Sequence, residues 1–132
     1  MKRRHMVVVA AVIERGDELL VSFRHPKGPR PSKWEFPGGK VEAGETEQEA
    51  LIREMQEELG VLCEIGDLVR RSVHAYPDTD VEIAFYKARI AEGIPQPLSM
   101  EEIRWVRKQD LGALDFLEAD RDFVADIVRG AA

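Results

Sequence analysis

The chain has 132 residues, about the length of one domain, and its 44% hydrophobic and 33% charged residues are typical of a soluble globular protein. No apolar run approaches the roughly 18 residues of a membrane-spanning helix, so we expect no membrane partner. The formal net charge of −6 argues against a protein that binds duplex nucleic acid through its overall field. A polyanionic substrate would need local positive charge, which divalent cations can supply.

The first residues, MKRRHMVVVAAVI, combine a basic start with an apolar run, as a signal peptide does. The run has only eight residues, leads directly into the charged sequence ERGD and lacks a small-residue cleavage site, so we favour a buried first strand. The single cysteine, Cys63, cannot form an internal disulfide and is predicted to be a buried apolar residue. Both observations favour a cytoplasmic protein.

The first third of the chain predicts strands separated by a long loop. Apolar residues 6–13 and 19–23 flank an Arg-Gly-Asp turn and predict a hairpin. Residues 24–33, RHPKGPRPSK, contain three prolines, a glycine and several cations, which predicts a loop. Residues 34–37 then predict a brief extended segment that leads into Gly38–Gly39.

A helix is predicted at about residues 47–59. Thr46 and Glu49 have the spacing of a capping box, and Gly60 is a typical glycine just beyond a helix C-terminus. The residues between them have high helix propensity. Glu side chains are unusually concentrated in and around this helix.

The remaining elements predict an α/β protein. Residues 61–75 and 81–90 predict strands joined by a turn at 76–80, and a loop at 93–97 precedes a short strand at 103–106. A closing amphipathic helix is indicated by Phe116, Phe123, Ile127 and Val128. This order predicts a single domain over residues 1–132, with helices covering a mixed β-sheet.

Residues 39–61, GKVEAGETEQEALIREMQEELGV, contain seven acidic side chains. At about 100° per residue, Glu54, Glu57 and Glu58 fall within one arc of the helix, and apolar residues occupy the adjacent arc. Three convergent carboxylates suit Mg²⁺, which binds carboxylates, waters and substrate phosphate oxygens. The alternative is a solvated acidic face, and helical spacing alone leaves both interpretations open.

The whole segment resembles the Nudix box. Gly39 is followed after five residues by Glu45 and after seven more by REMQEELGV at residues 53–61, which agrees at all nine fixed or restricted positions. Nudix hydrolases cleave nucleoside diphosphates linked to another group and use a divalent metal ion. The resemblance therefore implies an α/β/α sandwich around a mixed β-sheet, with the box at residues 39–61.

The same resemblance implies a set of catalytic and metal-binding residues. Glu54, Glu57 and Glu58 would bind Mg²⁺, with Mn²⁺ as an alternative. Glu54 is the first candidate for the proton acceptor or for a ligand of the metal ion that activates the attacking water. Glu45 and Arg53 would support these glutamates, and the Gly38 carbonyl would be a further ligand.

A longer stretch, from about residue 7 to 128, resembles the MutT-like nucleoside triphosphate pyrophosphohydrolases. Residues 33–42, KWEFPGGKVE, are similar to the entry into the box in that branch, and two further segments, 76–78 and 117–120, match its base pocket. The resemblance implies a substrate site that contains Arg24, Glu35, Phe36, Gly38, Asp78 and Asp120.

Several of these assignments leave alternatives open. Phe36 could stack on a base or fill the core. Asp120, where MutT-type proteins have Asn and cytidine-triphosphate-preferring relatives can have Asp, would accept N–H groups of a base when ionised, or could cap the last helix. Relatives often have a metal-binding Glu six residues before the Trp at position 105, where this chain has Ser99. Glu101 and Glu102 are candidate replacements.

We therefore expect a Mg²⁺-dependent enzyme that hydrolyses a (d)NTP, or an oxidised one such as 8-oxo-dGTP, to (d)NMP and pyrophosphate in nucleotide-pool sanitation. It would attack the β-phosphorus and act as a cytoplasmic monomer or homodimer. One alternative is the hydrolysis of RNA 5′-triphosphates held by the cationic loop 24–33. Another is a nucleotide-binding regulatory module without hydrolysis, against which the intact glutamate set argues.

Overall fold

The computed structural model describes residues 4–28 and 30–131. The basic start of the signal-peptide candidate, residues 1–3, lies outside the described residues, as do Pro29 in the cationic loop and the last residue of the predicted domain. Within the described part of the chain, no helix has the length and apolar character needed to cross a membrane.

The elements follow the predicted order. They are β1 Arg4–Arg15, β2 Glu18–Phe23, β3 Trp34–Glu35, β4 Gly38–Lys40, α1 Glu47–Leu59, β5 Leu62–Ala75, β6 Thr79–Glu92, β7 Glu102–Arg107, a 3₁₀ helix Lys108–Ala113, and α2 Glu118–Ala131. The sequence analysis did not assign β4 or the 3₁₀ helix. Glycine-rich β4 carries no strand propensity and forms because β1 provides an edge for it.

β1 is the central strand of a mixed sheet. It runs parallel to β6 from the Arg4–Thr79 pair onward and antiparallel to β4, and β5 extends the sheet beyond β6. The predicted hairpin is present, but β1 and β2 pair only beside the turn, since the rest of β1 pairs with β4 and β6. β2 continues away from β1 and pairs with β3 and β7.

Alternating side chains of β1 build two hydrophobic layers. Val9, Ala11 and Ile13 face one side of the sheet, while Ala10 and Val12 face the other. The first layer packs against the buried residues of α1, which are Ala50, Leu51, Met55 and Leu59. The second packs against α2 through Phe123 and Val124. The predicted α/β/α sandwich is confirmed.

Local signals fix both ends of α1. The Thr46 hydroxyl accepts the Glu49 N–H at 3.0 Å, and the Glu49 carboxylate accepts the Thr46 N–H at 2.9 Å. Gly60 ends the helix in the left-handed conformation, with φ of 70°. Ile52, which helical spacing grouped with the apolar arc, is 36% exposed because it lies at the margin of that arc. The predicted helix bounds are confirmed.

Cys63 is buried and forms no disulfide, as predicted. Burial raises the pKa of its thiol to about 11. The thiol is therefore neutral at physiological pH and serves as a small apolar residue in the layer beneath α1.

Replacement of Gly60 by Ala should lower the free energy of unfolding by about 1–2 kcal/mol, because a Cβ is unfavourable in the left-handed conformation. Gly130→Ala in α2 is the matched control, since nothing lies within 4 Å of the added Cβ and Ala favours a helix. Urea unfolding followed by circular dichroism measures both variants. Equal stability of Gly60→Ala and the wild type would contradict the proposed helix stop.

Candidate active site

Two glycines allow β4 to pack closely against α1 on one side and against β1 on the other. A Cβ at Gly39 would overlap the Glu54 carboxylate, and one at Gly38 would overlap the Val9 carbonyl. The Gly38 N–H also donates a hydrogen bond to Glu58. Gly39 therefore leaves room for the Glu54 carboxylate, while Gly38 lets β4 lie close to β1.

Arg53 lies at the centre of the carboxylate cluster. Its Nε and Nη2 donate to the two oxygens of Glu45 at 2.7 and 2.9 Å, a bidentate pair. Its Nη1 donates to Glu54 at 2.8 Å and to Glu57 at 3.2 Å, and Nη2 also donates to the Lys40 carbonyl at 3.0 Å. One guanidinium thus orients three carboxylates and ties α1 to the end of β4.

Glu54, Glu57 and Glu58 lie on one face of α1, but their carboxylates do not converge fully. Among residues 4–28 and 30–131, no group of three or more His, Cys, Asp or Glu side chains is arranged to hold a metal ion. Glu54 and Glu57 instead form ion pairs with Arg53. The donor chemistry still fits a hard divalent cation, because it consists of carboxylate oxygens, and Gly39 leaves the room that the Glu54 carboxylate occupies.

The pKa values of this cluster show where positive charge is missing. Burial, together with the negative charges of Glu54 and Glu35, raises the pKa of Glu58 to about 8. Burial also raises the pKa of Glu54, despite its contact with Arg53. Hydrogen bonds from Arg53 hold the pKa of Glu45 down at about 2. Arg53 therefore neutralises Glu45 well and leaves the Glu54–Glu58 side short of positive charge.

A cavity of about 590 Å³ opens beside Glu58. This volume is within the usual range for small-molecule sites. All six predicted substrate residues line it: Arg24, Glu35, Phe36, Gly38, Asp78 and Asp120. Arg4 and Lys40 line it as well, and the sequence analysis missed both. Lys40 stands inside the matched segment, whereas Arg4 reaches the cavity only through the register of β1 with β6.

Arg24, predicted to contact phosphate, is held by Glu35. Its Nη1 lies 3.0 Å from both carboxylate oxygens. Burial raises the pKa of Glu35, and the neighbouring Arg24 counteracts only part of that rise. The pair lines both the large cavity and a smaller one of about 180 Å³ beside Glu58.

Asp120 lies in the first turn of α2 rather than at its cap, so the alternative role as a helix cap is wrong. Its side chain is buried, and Oδ2 accepts the backbone N–H of Phe36 at 3.3 Å. Burial and the negative charge of Glu35 raise the pKa of Asp120 well above its usual range. We expected an ionised acceptor, but the raised pKa favours the protonated carboxyl, which can also donate.

Phe36 is 2% exposed, and its ring packs against Phe85, Phe116 and Phe123, with centroids 5.5–5.8 Å apart. It therefore belongs to the core while it also lines the cavity. Its stacking on a base stays a prediction.

The candidate replacements for the missing glutamate are engaged elsewhere. Glu102 accepts hydrogen bonds from Arg104 at 2.8 and 3.0 Å, and Glu101 faces His25 at 3.7 Å. Ser99 lines the smaller cavity together with Glu58. The position from which relatives supply a carboxylate is therefore next to the site, but it carries a hydroxyl in this chain.

An α/β/α sandwich with a carboxylate-bearing helix against a glycine pair defines the Nudix class of hydrolases. The family model described as "NUDIX domain" matches residues 3–127, and the chain belongs to this family. Nudix hydrolases generally need divalent metal ions.

Within the family, the relatives place the chain in the MutT-like branch. An "8-oxo-dGTP diphosphatase" of Haemophilus influenzae is 38% identical over 125 residues, 92% of this chain and 90% of the relative. A "CTP pyrophosphohydrolase" of Escherichia coli is 45% identical over 62 residues, 47% of this chain and 46% of the relative. The solution structure of a MutT protein of the Nudix family from Staphylococcus aureus is 34% identical, with a TM-score of 0.77, and covers 98% of this chain and 99% of that one.

In the presence of a chelator, the free energy of unfolding should fall as the pH rises from about 5 to 8. The pKa of Glu58 is raised from 4.5 to about 8, so the unfolded chain binds fewer protons in this window. One such proton contributes at most about 1.4 kcal/mol per pH unit. Denaturant unfolding at several pH values measures the slope.

Glu58→Gln should reduce this slope, while Glu92→Gln, an exposed residue at the end of β6, should leave it unchanged. Equal slopes in the two variants would show that Glu58 does not carry the effect.

Proposed function

We propose that this protein is a Mg²⁺-dependent nucleoside triphosphate pyrophosphohydrolase. It would convert a (d)NTP, including oxidised forms such as 8-oxo-dGTP, and water to (d)NMP and pyrophosphate, and so cleanse the nucleotide pool. The observation that carries the proposal is that the glutamate face of α1 and the large cavity meet at Gly38 and Glu58. The names of the relatives support the substrate class.

The chain offers a set of residues for each part of the reaction. Glu54, Glu57, Glu58 and the Gly38 carbonyl would hold Mg²⁺, or alternatively Mn²⁺. When bound, the cation would polarise a phosphoryl oxygen, lower the pKa of a water molecule and neutralise charge on the leaving group. Arg53, itself anchored by Glu45, would keep Glu54 oriented to accept the proton of the attacking water.

The cavity would bind the nucleotide with its base near Asp120 and its phosphates toward α1. Asp120 and Glu35 offer hydrogen-bonding groups at the buried end, with Phe36 as an apolar wall. Asp78 lies at the rim, and Arg24 lies between the buried end and Glu58. With the phosphates beside α1, the β-phosphorus is the proposed point of attack.

The hydrolysis of RNA 5′-triphosphates receives less support. Arg24, Arg30 and Lys33 of the cationic loop each pair with a carboxylate, at 3.0, 3.1 and 2.9 Å. With three of its cations already paired, the loop offers little free charge to an RNA backbone.

We infer further that the single domain covers residues 1–132 and acts in the cytoplasm as a monomer or homodimer. Sedimentation would distinguish the two oligomeric states.

Glu57→Gln should lower kcat by about 100-fold or more, because it removes a carboxylate from the proposed metal site. The assay is pyrophosphate release in Mg²⁺ from a panel of normal and oxidised (d)NTPs, nucleotide sugars and 5′-triphosphorylated RNA. Glu92→Gln is the control and should retain activity. Nucleotide binding without turnover by the wild type would instead favour a regulatory module, and cleavage of nucleotide sugars alone would exclude the MutT-like reaction.

Asp120→Asn should change the ratio of kcat/KM for CTP to that for 8-oxo-dGTP by about 10-fold or more, because the amide has a fixed donor and a fixed acceptor. Asp122→Asn, an exposed residue on the same helix, should leave the ratio unchanged. If both variants give the wild-type ratio, Asp120 does not contact the base.

A further inference from the structure

Arg30 bridges two sides of the cavity rim. Its guanidinium lies 3.5 Å above the centre of the Tyr76 ring, and its Nη2 donates to Asp78 Oδ1 at 3.1 Å. Arg30 belongs to the loop between β2 and β3, whereas Tyr76 and Asp78 belong to the turn between β5 and β6. All three residues line the large cavity. We name this contact set, Arg30 with Tyr76 and Asp78, the rim bridge.

The turn that carries Tyr76 and Asp78 is firmly anchored. Tyr76 is 7% exposed, and its hydroxyl accepts the backbone N–H of Ala119 at 3.2 Å. Ala119 precedes Asp120, so the same ring connects the rim bridge to the end of the cavity proposed for the base. The turn is closed by a backbone hydrogen bond from Tyr76 N–H to Thr79 at 2.8 Å.

The loop that carries Arg30, between β2 and β3, is held in an unfavourable backbone conformation. Arg30 and Ser32 have φ of 49° and 59°, in the left-handed region that residues with a Cβ rarely adopt. Such a conformation persists where surrounding contacts over-determine it, and it recurs at ligand-binding sites. The stacking on Tyr76 and the ion pair with Asp78 are the contacts of the Arg30 side chain that can hold it.

The geometry separates Arg30 from the phosphate end of the site. Arg24, from the same loop, lines both the large cavity and the smaller one beside Glu58. Arg30 lines the large cavity, and its charge is already compensated by Asp78, whose pKa it lowers. Arg30 is therefore placed to shape the base and ribose end.

We propose that Arg30 is a specificity-determining residue whose rim bridge restricts the site to free mononucleotides. This inference rests on the proposed function. With the base near Asp120 and the phosphates at α1, the ribose lies between them. An RNA chain continues from the 3′ oxygen of that ribose and must leave across the rim, where the bridge obstructs it. A free nucleoside triphosphate has no such extension.

The test compares kcat/KM for CTP with that for a 5′-triphosphorylated dinucleotide that begins with the same base. Arg30→Ala should raise the dinucleotide-to-CTP ratio at least tenfold, mainly through a lower KM for the dinucleotide. Arg30→Lys keeps the charge but loses the planar stacking surface, so it should also raise the ratio. Lys27→Ala removes a charge from the same loop at an exposed residue and should leave the ratio unchanged.

If Arg30 instead attracts the RNA backbone, Arg30→Ala should lower the dinucleotide-to-CTP ratio. A lowered or unchanged ratio overturns the proposal. If the wild type prefers another (d)NTP of the panel, that nucleotide and the matching dinucleotide replace CTP and its dinucleotide in the ratio. If it hydrolyses none of them, the proposed function fails, and the specificity assignment fails with it.

A measurement without turnover tests the rim bridge itself. Asp78→Asn removes the ionic half of the bridge and should speed tryptic cleavage after Lys27 severalfold at constant overall stability. Asp67→Asn, an exposed residue on β5, is the control. An unchanged cleavage rate in Asp78→Asn would show that the bridge does not hold the loop, whatever the enzymatic result.

Discussion

The site depends on how the fold holds the mutually repelling glutamates on one face of α1 close together. Three glutamates, Glu54, Glu57 and Glu58, lie on this face of α1. Arg53 forms ion pairs with Glu54 and Glu57, and Glu45 forms a further ion pair with Arg53. Glu58 accepts the backbone N–H of Gly38, and this bond and the charge of Arg24 offset only part of the rise in its pKa. The apolar face of α1 is buried against the sheet, so the helix cannot rotate to separate these charges. The fold therefore maintains a local excess of negative charge that a divalent cation would relieve.

The substrate cavity continues this pattern of incompletely neutralised carboxylates. Burial raises the pKa of both Glu35 and Asp120, although Arg24 lies near enough to offset part of each rise. Arg24 borders both cavities and pairs with Glu35 there. The Glu58 end and the Asp120 end of the site are therefore coupled electrostatically through Glu35, which influences the pKa of both residues.

Features encoded by neighbouring residues were predictable from the sequence. The capping box and Gly60 gave the bounds of α1, and helical spacing placed Glu54, Glu57 and Glu58 on one face. Features that depend on distant pairing were not predictable. β4 forms only because β1 is beside it, Asp120 is buried only because α2 packs over Phe36, and Arg30 meets Tyr76 only after two separate loops converge. Loop composition indicated cations but not their partners, since Arg30 and Lys33 pair with carboxylates far away in the chain.

The parallel pairing of β1 with β6 has a consequence for how the site assembles. Arg4 and Thr79, which line the same cavity, become neighbours only when the two strands join across more than half of the chain. Such non-local contacts form late, because closing a long loop costs entropy before it gains contacts. The glutamate face of α1, by contrast, needs only local hydrogen bonds and caps. A nascent chain would therefore form the glutamate face of α1 before the cavity beside it exists.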